Sequence, residues 1–354
     1  MLRLLDKIVF FINIFIMLGL LGSYMASFIN PNVFVLPSLL GLAYPYLLIS
    51  NVLFFLYWIA RWKRRAWITL LVILIGFPTF MSYFGTAQAT EKRPPCQLSL
   101  LSYNVRYFDR YNWSNQESTK NKLLNYLKEF SGHVVCLQES TTNKDNKLKT
   151  ALYKLFNSYP HRYFHKGMTV LSRYPIINKG NLTFDKNSSG NCIYCDLLVN
   201  KDTIRIYNVH LESFKMGKEE RQFMKEISQG LNNSELPEAA KRLTTRLITG
   251  NKNRAKQAEK ISKHLQESPY PVVLCGDFND TPLSYTYKKI KKELKDAFIE
   301  KGRGLGHTYI GEFPSFRIDY ILHSEYLETV GYQRDLVEYS DHYPIKVQLN
   351  CKSK

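Results

Sequence analysis

The chain has 354 residues, 45% of them hydrophobic, which is enough for one large domain with a sizeable core plus an accessory region. Lys and Arg outnumber Asp and Glu by 48 to 30, and the net charge of +18 favours polyanions or an anionic lipid surface without choosing between them. The sequence lacks a glycine-rich phosphate loop and a Gly-x-Ser-x-Gly elbow, which excludes the enzyme classes that depend on those motifs.

The N-terminal part is strongly apolar. No charged residue occurs between Ile8 and Ala60 or between Ala66 and Thr90, and the basic cluster at 61–65 separates the two runs. A membrane span needs roughly 20 apolar residues, so residues 1–90 predict a membrane region with about three transmembrane helices, near 8–29, 37–60 and 66–84. Core helices of a soluble protein are the alternative, but such helices rarely lack charge over these lengths.

The positive charges predict the orientation of these spans. Arg3 and Lys7 flank the first span and residues 61–65 lie between the second and third, whereas the turn near Asn30 carries no charge. The positive-inside rule therefore places the N-terminus in the cytoplasm and residues 91–354 on the other side, which in the inner membrane of a bacterium is the periplasm. The triplet 87–89, Ala-Gln-Ala, resembles a signal-peptidase site, but we expect the anchor to be retained.

The remaining sequence predicts one α/β domain at 97–350, after a proline-containing linker at 91–96. Its predicted strands are 97–104, 133–138, 168–172, 192–199, 203–211, 271–276, 317–323 and 343–349, and its predicted helices are 116–130, 144–157 and 283–295. A polar stretch at 213–266 predicts a helical insert in two pieces, broken near 230–233. It is either a solvated insert or a basic arm that faces the substrate or the membrane.

The six cysteines leave the disulfide state open. Cys136 and Cys275 lie in apolar, strand-like runs, where buried free thiols are expected. Cys192 and Cys195 have metal-like spacing, but no second pair completes a zinc site.

Six apolar runs end in, or carry, side chains that can do chemistry. They are LSLLSYNVR with Asn104, VVCLQES with Glu139, RIYNVHLES with His210, VVLCGDFND with Asp277 and Asn279, FRIDYIL with Asp319, and YSDHYPI with Asp341 and His342. Six such runs over about 240 residues indicate one site at a sheet edge. Its carboxylate and amide oxygens suit a hard divalent cation, Mg²⁺ or Mn²⁺, and the histidines are then free for hydrogen bonding and proton transfer. Such a set suits phosphate ester hydrolysis.

The ordered motifs SYNVR, CLQE, NVHLE, GDFND, RIDYIL and SDHYPI resemble those of the endonuclease/exonuclease/phosphatase superfamily, which includes deoxyribonuclease I. The resemblance covers about residues 97–350. It implies a two-sheet, four-layer α/β sandwich, here preceded by the predicted transmembrane helices.

The resemblance also implies a role for each matching residue. Glu139 is the principal metal ligand, and Asn104 and Asp341 contribute to metal or phosphate binding. Asp277 orients or deprotonates the attacking water with the help of Asn279, which also contacts the phosphate. His342, fixed and charged by Asp319, stabilises the transition state, and His210 is a second histidine on the phosphate.

Other residues near the motifs have less specific interpretations. Asp280 is predicted to cap a following helix, Glu212 to lie at the surface, and Gln138 to orient Glu139. The triplet at 307–309, His-Thr-Tyr, is a candidate substrate contact.

The sequence therefore predicts a membrane-anchored, metal-dependent phosphoesterase with lipid or glycan headgroups as candidate substrates. The alternative is a tethered nuclease acting on extracytoplasmic nucleic acid, which is favoured by 42 basic against 29 acidic residues outside the membrane part, a net +13, and by the basic run at 288–292. A binding module without activity is the third possibility, and the intact motifs oppose it. Metal number, oligomeric state and protein partners are left open.

Overall fold

The computed structural model describes residues 2–87, 97–109, 118–140, 150, 156–185, 188–214, 236–311 and 316–352, in which two six-stranded mixed sheets form the main domain. The predicted linker at 91–96, most of the predicted helix 144–157 and the predicted break near 230–233 lie outside the described residues. So does most of the triplet 87–89.

The first sheet has the strand order β13-β14-β2-β3-β5-β4. Its strands are β2 (Leu98–Asn104), β3 (Val134–Gln138), β4 (His161–His165), β5 (Met168–Ser172), β13 (Leu327–Arg334) and β14 (Ile345–Cys351). Strands β2 and β3 are parallel and the other pairs are antiparallel.

The second sheet has the strand order β10-β12-β9-β8-β7-β6. Its strands are β6 (Ile176–Leu182), β7 (Asn191–Val199), β8 (Asp202–His210), β9 (Val272–Asp277), β10 (Leu294–Asp296) and β12 (Asp319–Ser324). Here β8 and β9 are parallel, with His210 opposite Asp277. The short strands β1 (Gly85–Thr86) and β11 (Arg303–Gly304) pair separately.

The two sheets pack face to face and helices cover their outer faces, which confirms the predicted four-layer sandwich. The helices of this domain are α6 (Thr119–Glu129), α7 (Leu236–Gln266), α8 (Tyr285–Lys291) and α9 (Ala297–Lys301). In β9, Val273 and Cys275 join the core between the sheets, whereas Val272 and Leu274 join the core beneath α7 and α8. A strand buried on both faces reads as a continuous apolar run, and this is why β9 was recognisable.

The eight predicted strands are the eight inner strands of the two sheets, with ends that agree to within two residues. The edge strands β4, β6, β10 and β13 were not predicted. The predicted helix 283–295 was too long, because α8 ends at Lys291 and β10 follows. The cysteines at 136, 192, 195 and 275 are free and buried. Cys192 and Cys195 belong to different cores on opposite faces of β7, so they cannot share a metal ion.

The N-terminal part is a group of apolar helices: α1 (Leu2–Tyr24), α2 (Leu36–Leu42), α3 (Tyr44–Ala60), α4 (Arg65–Ile75) and α5 (Phe77–Met81). Among the described residues, one helix, Leu4–Ser27, is long and apolar enough by itself to cross a membrane. Helices α2 and α3 meet this standard only as a pair bent by 71°, and α4 is shorter. The expected arrangement of three spans therefore stays a prediction.

Polar side chains tie the apolar helices to one another. The buried Asn13 on α1 accepts hydrogen bonds from Trp58 Nε1 on α3 at 2.9 Å and from Thr69 Oγ1 on α4 at 3.0 Å. Near the start of α1, Asp6 forms an ion pair with Arg61 at 3.3 Å. These contacts hold α1, α3 and α4 as one unit.

This helical unit docks on the two-sheet domain. Asn30, just after α1, donates to Glu259 of α7 at 2.7 Å, and Ser38 of α2 accepts from Asn251 of α7 at 2.9 Å. At the end of the unit, the Ser82 carbonyl accepts from Arg317 at 2.8 Å. The strand pair β1–β11 follows directly, so the helices and the sandwich are joined at several points.

Candidate active site

The residues that the motifs singled out converge at one edge of the sandwich. Asn104 ends β2, Glu139 follows β3, His210 ends β8, Asp277 ends β9 and Asp319 begins β12. Asn104 Nδ2 lies 3.1 Å from Asp277 Oδ2 and 3.5 Å from Glu139 Oε1, so it links the two sheets across the edge. The parallel pairs β2–β3 and β8–β9 explain the convergence, since their carboxyl ends point the same way.

The turn after β9 holds Asp277 and Asn279 in a fixed relation. Asp277 Oδ1 accepts from the Asn279 backbone N at 2.7 Å, and Asn279 Nδ2 donates to Asp277 Oδ2 at 3.2 Å and to the Leu211 carbonyl at 3.0 Å. Asn279 has φ of 52°, a left-handed conformation that is uncommon outside glycine. The hydrogen bonds therefore stabilise a conformation that is unfavourable by itself.

Two histidines face the carboxylates. His342 Nδ1 is 2.9 Å from Asp319 Oδ2, and its Nε2 is 3.7 Å from Asp277 Oδ2. His210 Nε2 is 3.5 Å from Glu139 Oε1 and 3.7 Å from Asp277 Oδ2. Asp277 thus lies between both imidazoles.

Burial and neighbouring charge set the protonation of this group. Burial raises the pKa of Asp277 to about 6, with Asp319 adding to the rise and His342 and His210 opposing it. For His342, burial lowers the pKa, but the carboxylates of Asp319 and Asp277 outweigh burial and raise it to about 10. At neutral pH the arrangement therefore presents an imidazolium beside a carboxylate whose pKa is suited to accepting a proton.

Asp341 lies on the rim of this group. Its Oδ2 pairs with Arg106 at 3.2 Å and its Oδ1 lies 3.2 Å from Ser340 Oγ, which donates its proton to the Asn104 carbonyl at 2.8 Å. Residues 106–109 all have φ between 42° and 55°, so a strained left-handed turn follows β2 at the site. Glu139 has φ of 49° and its carbonyl accepts from the backbone N of Tyr107 in that turn.

Beneath the site, buried amides cross-link the two sheets. Gln138 Nε2 donates to Asn208 Oδ1 at 2.6 Å and to Ser102 Oγ at 3.2 Å, and Asn208 Nδ2 donates to the Leu137 and Thr169 carbonyls. Gln138 precedes Glu139, so this bridge fits the expected role of Gln138 in orienting its neighbour.

Asp280 and Glu212 do not have their expected surroundings. The residue that caps α8 is Ser284 and not Asp280. Asp280 Oδ2 instead accepts a hydrogen bond from the fully buried Arg254 at 3.0 Å. Glu212 is buried rather than at the surface, and its carboxylate accepts from Ser189 N at 2.7 Å and Ser189 Oγ at 2.9 Å. In both cases the partners come from distant parts of the chain and local sequence could not reveal them.

The triplet at 307–309 reaches the site. Thr308 Oγ1 accepts from the backbone N atoms of Ile318 and Asp319, each at 3.1 Å, so it fixes the start of β12. Tyr309 and His342 form an isolated antiparallel β-bridge, and the centroids of their rings are 5.3 Å apart. The triplet thus contacts His342 and the start of β12.

The donors at the site suit a hard divalent metal, since the Glu139 carboxylate offers oxygens and no described thiol lies among the site residues. Among the described His, Cys, Asp and Glu residues, the cluster with ligand atoms within 4.8 Å of one another is Asp277, Asp319 and His342. We interpret that cluster as a hydrogen-bonded ion pair, because an imidazole whose pKa is raised to about 10 carries protons on both nitrogens. Glu139 is the residue that would hold the metal, whereas Asn104 directs its amide nitrogen at the carboxylates and its Oδ1 accepts a hydrogen bond from the Arg106 backbone N at 3.1 Å.

Comparison with known proteins agrees with this geometry. The family model described as Endonuclease/Exonuclease/phosphatase family matches residues 101–342, more than half of the chain. The chain belongs to the endonuclease/exonuclease/phosphatase family. A second model, a domain of unknown function (DUF8431), matches residues 6–83. A search of curated proteins found no match.

Solved structures share the fold at low sequence identity. An endonuclease/exonuclease/phosphatase from Beutenbergia cavernae is 15% identical, with a TM-score of 0.51. The match covers 72% of this chain and 71% of the Beutenbergia chain. Humanized D. rerio TDP2 is 18% identical, with a TM-score of 0.50 and coverage of 72% and 98%, respectively. A family protein from Leptotrichia buccalis is 15% identical, with a TM-score of 0.50 and coverage of 72% and 99%.

Family membership makes the chain a hydrolase of phosphate esters, of phosphodiesterase or nuclease type, and enzymes of this family generally use divalent metals. The sequence motifs led to the residues of the site itself. They did not indicate the residues that support it from outside the motifs, such as Arg254 and Thr308, because single polar residues in a helix or loop give no local signal.

Proposed function

We propose that this chain is a membrane-anchored, divalent-metal-dependent phosphoesterase whose substrate is a phosphate ester in a lipid or glycan headgroup. The observation that carries the proposal is the position of the apolar helices relative to the site. Leu283, four residues after Asn279, packs with Tyr44 and Tyr83 of the helical unit. Arg317, two residues before Asp319, is hydrogen-bonded to Ser82. Contacts so near the site favour a substrate at the bilayer surface.

The proposed orientation has the catalytic domain outside the cytoplasm, in a bacterium in the periplasm. Two sets of contacts at opposite ends of α1 support it. The uncharged turn at Asn30 contacts the catalytic domain, whereas the basic residues Arg61 and Arg65 meet Asp6 at the other end. Basic residues favour the cytoplasmic side. A C-terminal alkaline phosphatase fusion should be active, and an inactive fusion beside an active cytoplasmic reporter would reverse this orientation.

The proposed chemistry divides the site residues between metal binding, activation of the water and contact with the phosphate. Glu139 would hold Mg²⁺, or Mn²⁺ in its place, with Asn104 and Asp341 contributing to metal or phosphate binding, and the ion would supply polarisation of a phosphoryl oxygen when bound. Asp277, with a pKa of about 6, accepts a proton from the attacking water.

The remaining residues contact the phosphate. The Asn279 amide, bonded to Asp277, orients the water and the phosphate. His342 donates a hydrogen bond to the developing negative charge, with Asp319 fixing its ring. His210, on the other side of Asp277, contacts the phosphate as well.

The decisive experiment uses the full chain purified in detergent and reconstituted in vesicles. Hydrolysis is measured with Mg²⁺ and with chelator against phospholipids, inositol phosphates, plasmid DNA, RNA and bis(p-nitrophenyl) phosphate. We expect Asp277→Asn to lower kcat by about 10² to 10⁴, the usual contribution of a general base. Asp185→Asn is the matched control, since this side chain is 77% exposed.

Three outcomes would contradict parts of the proposal. A metal-loaded, folded protein that hydrolyses no phosphate ester would contradict the enzymatic function. Unchanged activity in Asp277→Asn would remove Asp277 from the mechanism. Hydrolysis of DNA or RNA alone would replace the headgroup substrate with the nuclease alternative.

A further inference from the structure

Arg254 is a charged side chain, fully buried, in the middle of α7. Its Nε donates to Asp280 Oδ2 at 3.0 Å, and its two terminal nitrogens donate to the Glu212 carbonyl and to Asn251 Oδ1. The guanidinium also lies 4.4 Å from the centre of the Phe214 ring. A buried charge with all its polar neighbours in place is costly to disturb, so these contacts form a rigid unit.

The two segments that Arg254 joins both carry site residues. Asp280 directly follows Asn279, and Glu212 lies two residues after His210. Leu211, between them, accepts from Asn279 Nδ2 and donates its backbone N to the Asp277 carbonyl. Arg254 therefore holds together the end of β8 and the strained turn after β9.

The same unit reaches the membrane region. Asn251, one helical turn before Arg254 on α7 and 3% exposed, accepts from Arg254 and donates to Ser38 Oγ of α2 at 2.9 Å. A continuous chain of hydrogen bonds thus runs from Ser38 through Asn251 and Arg254 to Asp280, beside Asn279. Nothing in the known chemistry of the site requires this chain.

We infer that Arg254 is a positioning residue for Asn279 and His210, and that Ser38 of the membrane region holds it in place through Asn251. The inference rests on the proposed function, because it concerns the geometry of that site. It makes the apolar helices part of the catalytic unit, beyond their role as an anchor. Movement of α2 relative to α7 then changes the rate of hydrolysis.

The kinetic test compares Arg254→Met, Arg254→Lys and Ser38→Ala with Lys263→Met, whose side chain on the same helix is 79% exposed. The full chain is assayed in vesicles with bis(p-nitrophenyl) phosphate and Mg²⁺. We expect Arg254→Met to lower kcat about 100-fold with KM changed less than about 3-fold, because displaced groups cost transition-state stabilisation more than ground-state binding. Arg254→Lys should recover part of the loss, Ser38→Ala should lower kcat about 2- to 5-fold, and Lys263→Met should behave as wild type.

Amide hydrogen exchange tests the same inference without relying on activity. In Arg254→Met and in Ser38→Ala, peptides covering 208–214 and 277–284 should exchange faster than in wild type, while a peptide covering β5 should not change. Ser38→Ala removes one hydrogen bond and so remains informative if Arg254→Met fails to fold.

The inference is overturned if the amide hydrogens of peptides 208–214 and 277–284 exchange in Ser38→Ala at the wild-type rate. It is also overturned if Arg254→Met loses thermal stability but keeps the wild-type kcat. The proposed function fails separately, if wild type hydrolyses no phosphate ester at all. In that case hydrogen exchange still decides whether the chain from Ser38 to Asp280 holds the turn.

Discussion

The ion pair between Asp319 and His342 gives the sharpest test of the site. Both side chains are buried, and His342 Nδ1 lies 2.9 Å from Asp319 Oδ2. Asp319→Asn keeps the shape and can still accept that hydrogen bond, but it removes the charge. The imidazole should then lose part of the stabilisation of its protonated form.

The size of the effect follows from the pKa values. A His342 pKa of about 10, against an ordinary 6.5, favours the imidazolium by roughly 5 kcal/mol at 1.36 kcal/mol for each pKa unit. Asp277 remains 3.7 Å away in the variant, so we assign roughly half of this energy to Asp319 and expect a pKa of roughly 8. Because the folded-state pKa lies above the unfolded one, the stabilisation is present below pH 6.5 and is lost as pH rises through 10.

Two measurements check this reasoning. The pH dependence of kcat/KM for bis(p-nitrophenyl) phosphate should lose activity on the alkaline side near pH 10 in wild type and roughly two pH units lower in Asp319→Asn. Thermal unfolding should show the variant destabilised at pH 7, with the difference from wild type shrinking as pH rises through 10. If kcat/KM falls at the same alkaline pH in wild type and in Asp319→Asn, then Asp319 is not the group that raises the pKa of His342.

Three further predictions concern individual residues. Gly276→Ala should destabilise the fold by about 3 kcal/mol or more in thermal unfolding. A Cβ at this position would lie 1.9 Å from the Val209 carbonyl oxygen, and the backbone φ of 135° disfavours residues other than glycine. An unchanged melting temperature would contradict this close approach. Glu139→Gln should weaken Mg²⁺ binding about 10-fold or more by calorimetry, and wild-type affinity would exclude Glu139 as a ligand. Glu212→Ala should cost about 2 to 3 kcal/mol by leaving Ser189 without its acceptor, whereas a surface role predicts almost no cost.

How far the sequence predicts this fold depends on where each strand lies. Most inner strands are buried on both faces and read as apolar runs, as β9 does, whereas the inner strand β14 alternates between buried and half-buried residues; either pattern predicts a strand. Edge strands have one open side. In β6, Asn178 and Lys179 are exposed, and every residue of β4 is only half-buried, so neither has a continuous apolar pattern.

The site shows a similar division. Asp277 and Asn279 could be predicted because the turn that carries them is a contiguous motif at the end of a buried strand. The surroundings of Asp280, in the same motif, could not, because its partner Arg254 lies 26 residues away on a helix. A local pattern supplies the reacting groups, whereas long-range packing decides which neighbouring carboxylates are structural.

The β1–β11 pair joins the apolar helices to the catalytic domain. Gly85 lies opposite Gly304, and a Cβ on Gly85 would come within 2.4 Å of the Gly302 backbone, so the two segments are in close contact. This pairing adds to the contacts of α7 and Arg317 that hold the described helices and the sandwich together. In the proposed arrangement the site therefore stands at one height above the bilayer, and substrates arrive by lateral diffusion within the leaflet. The turnover rate should then follow the mole fraction of substrate in the membrane rather than its concentration in bulk solution.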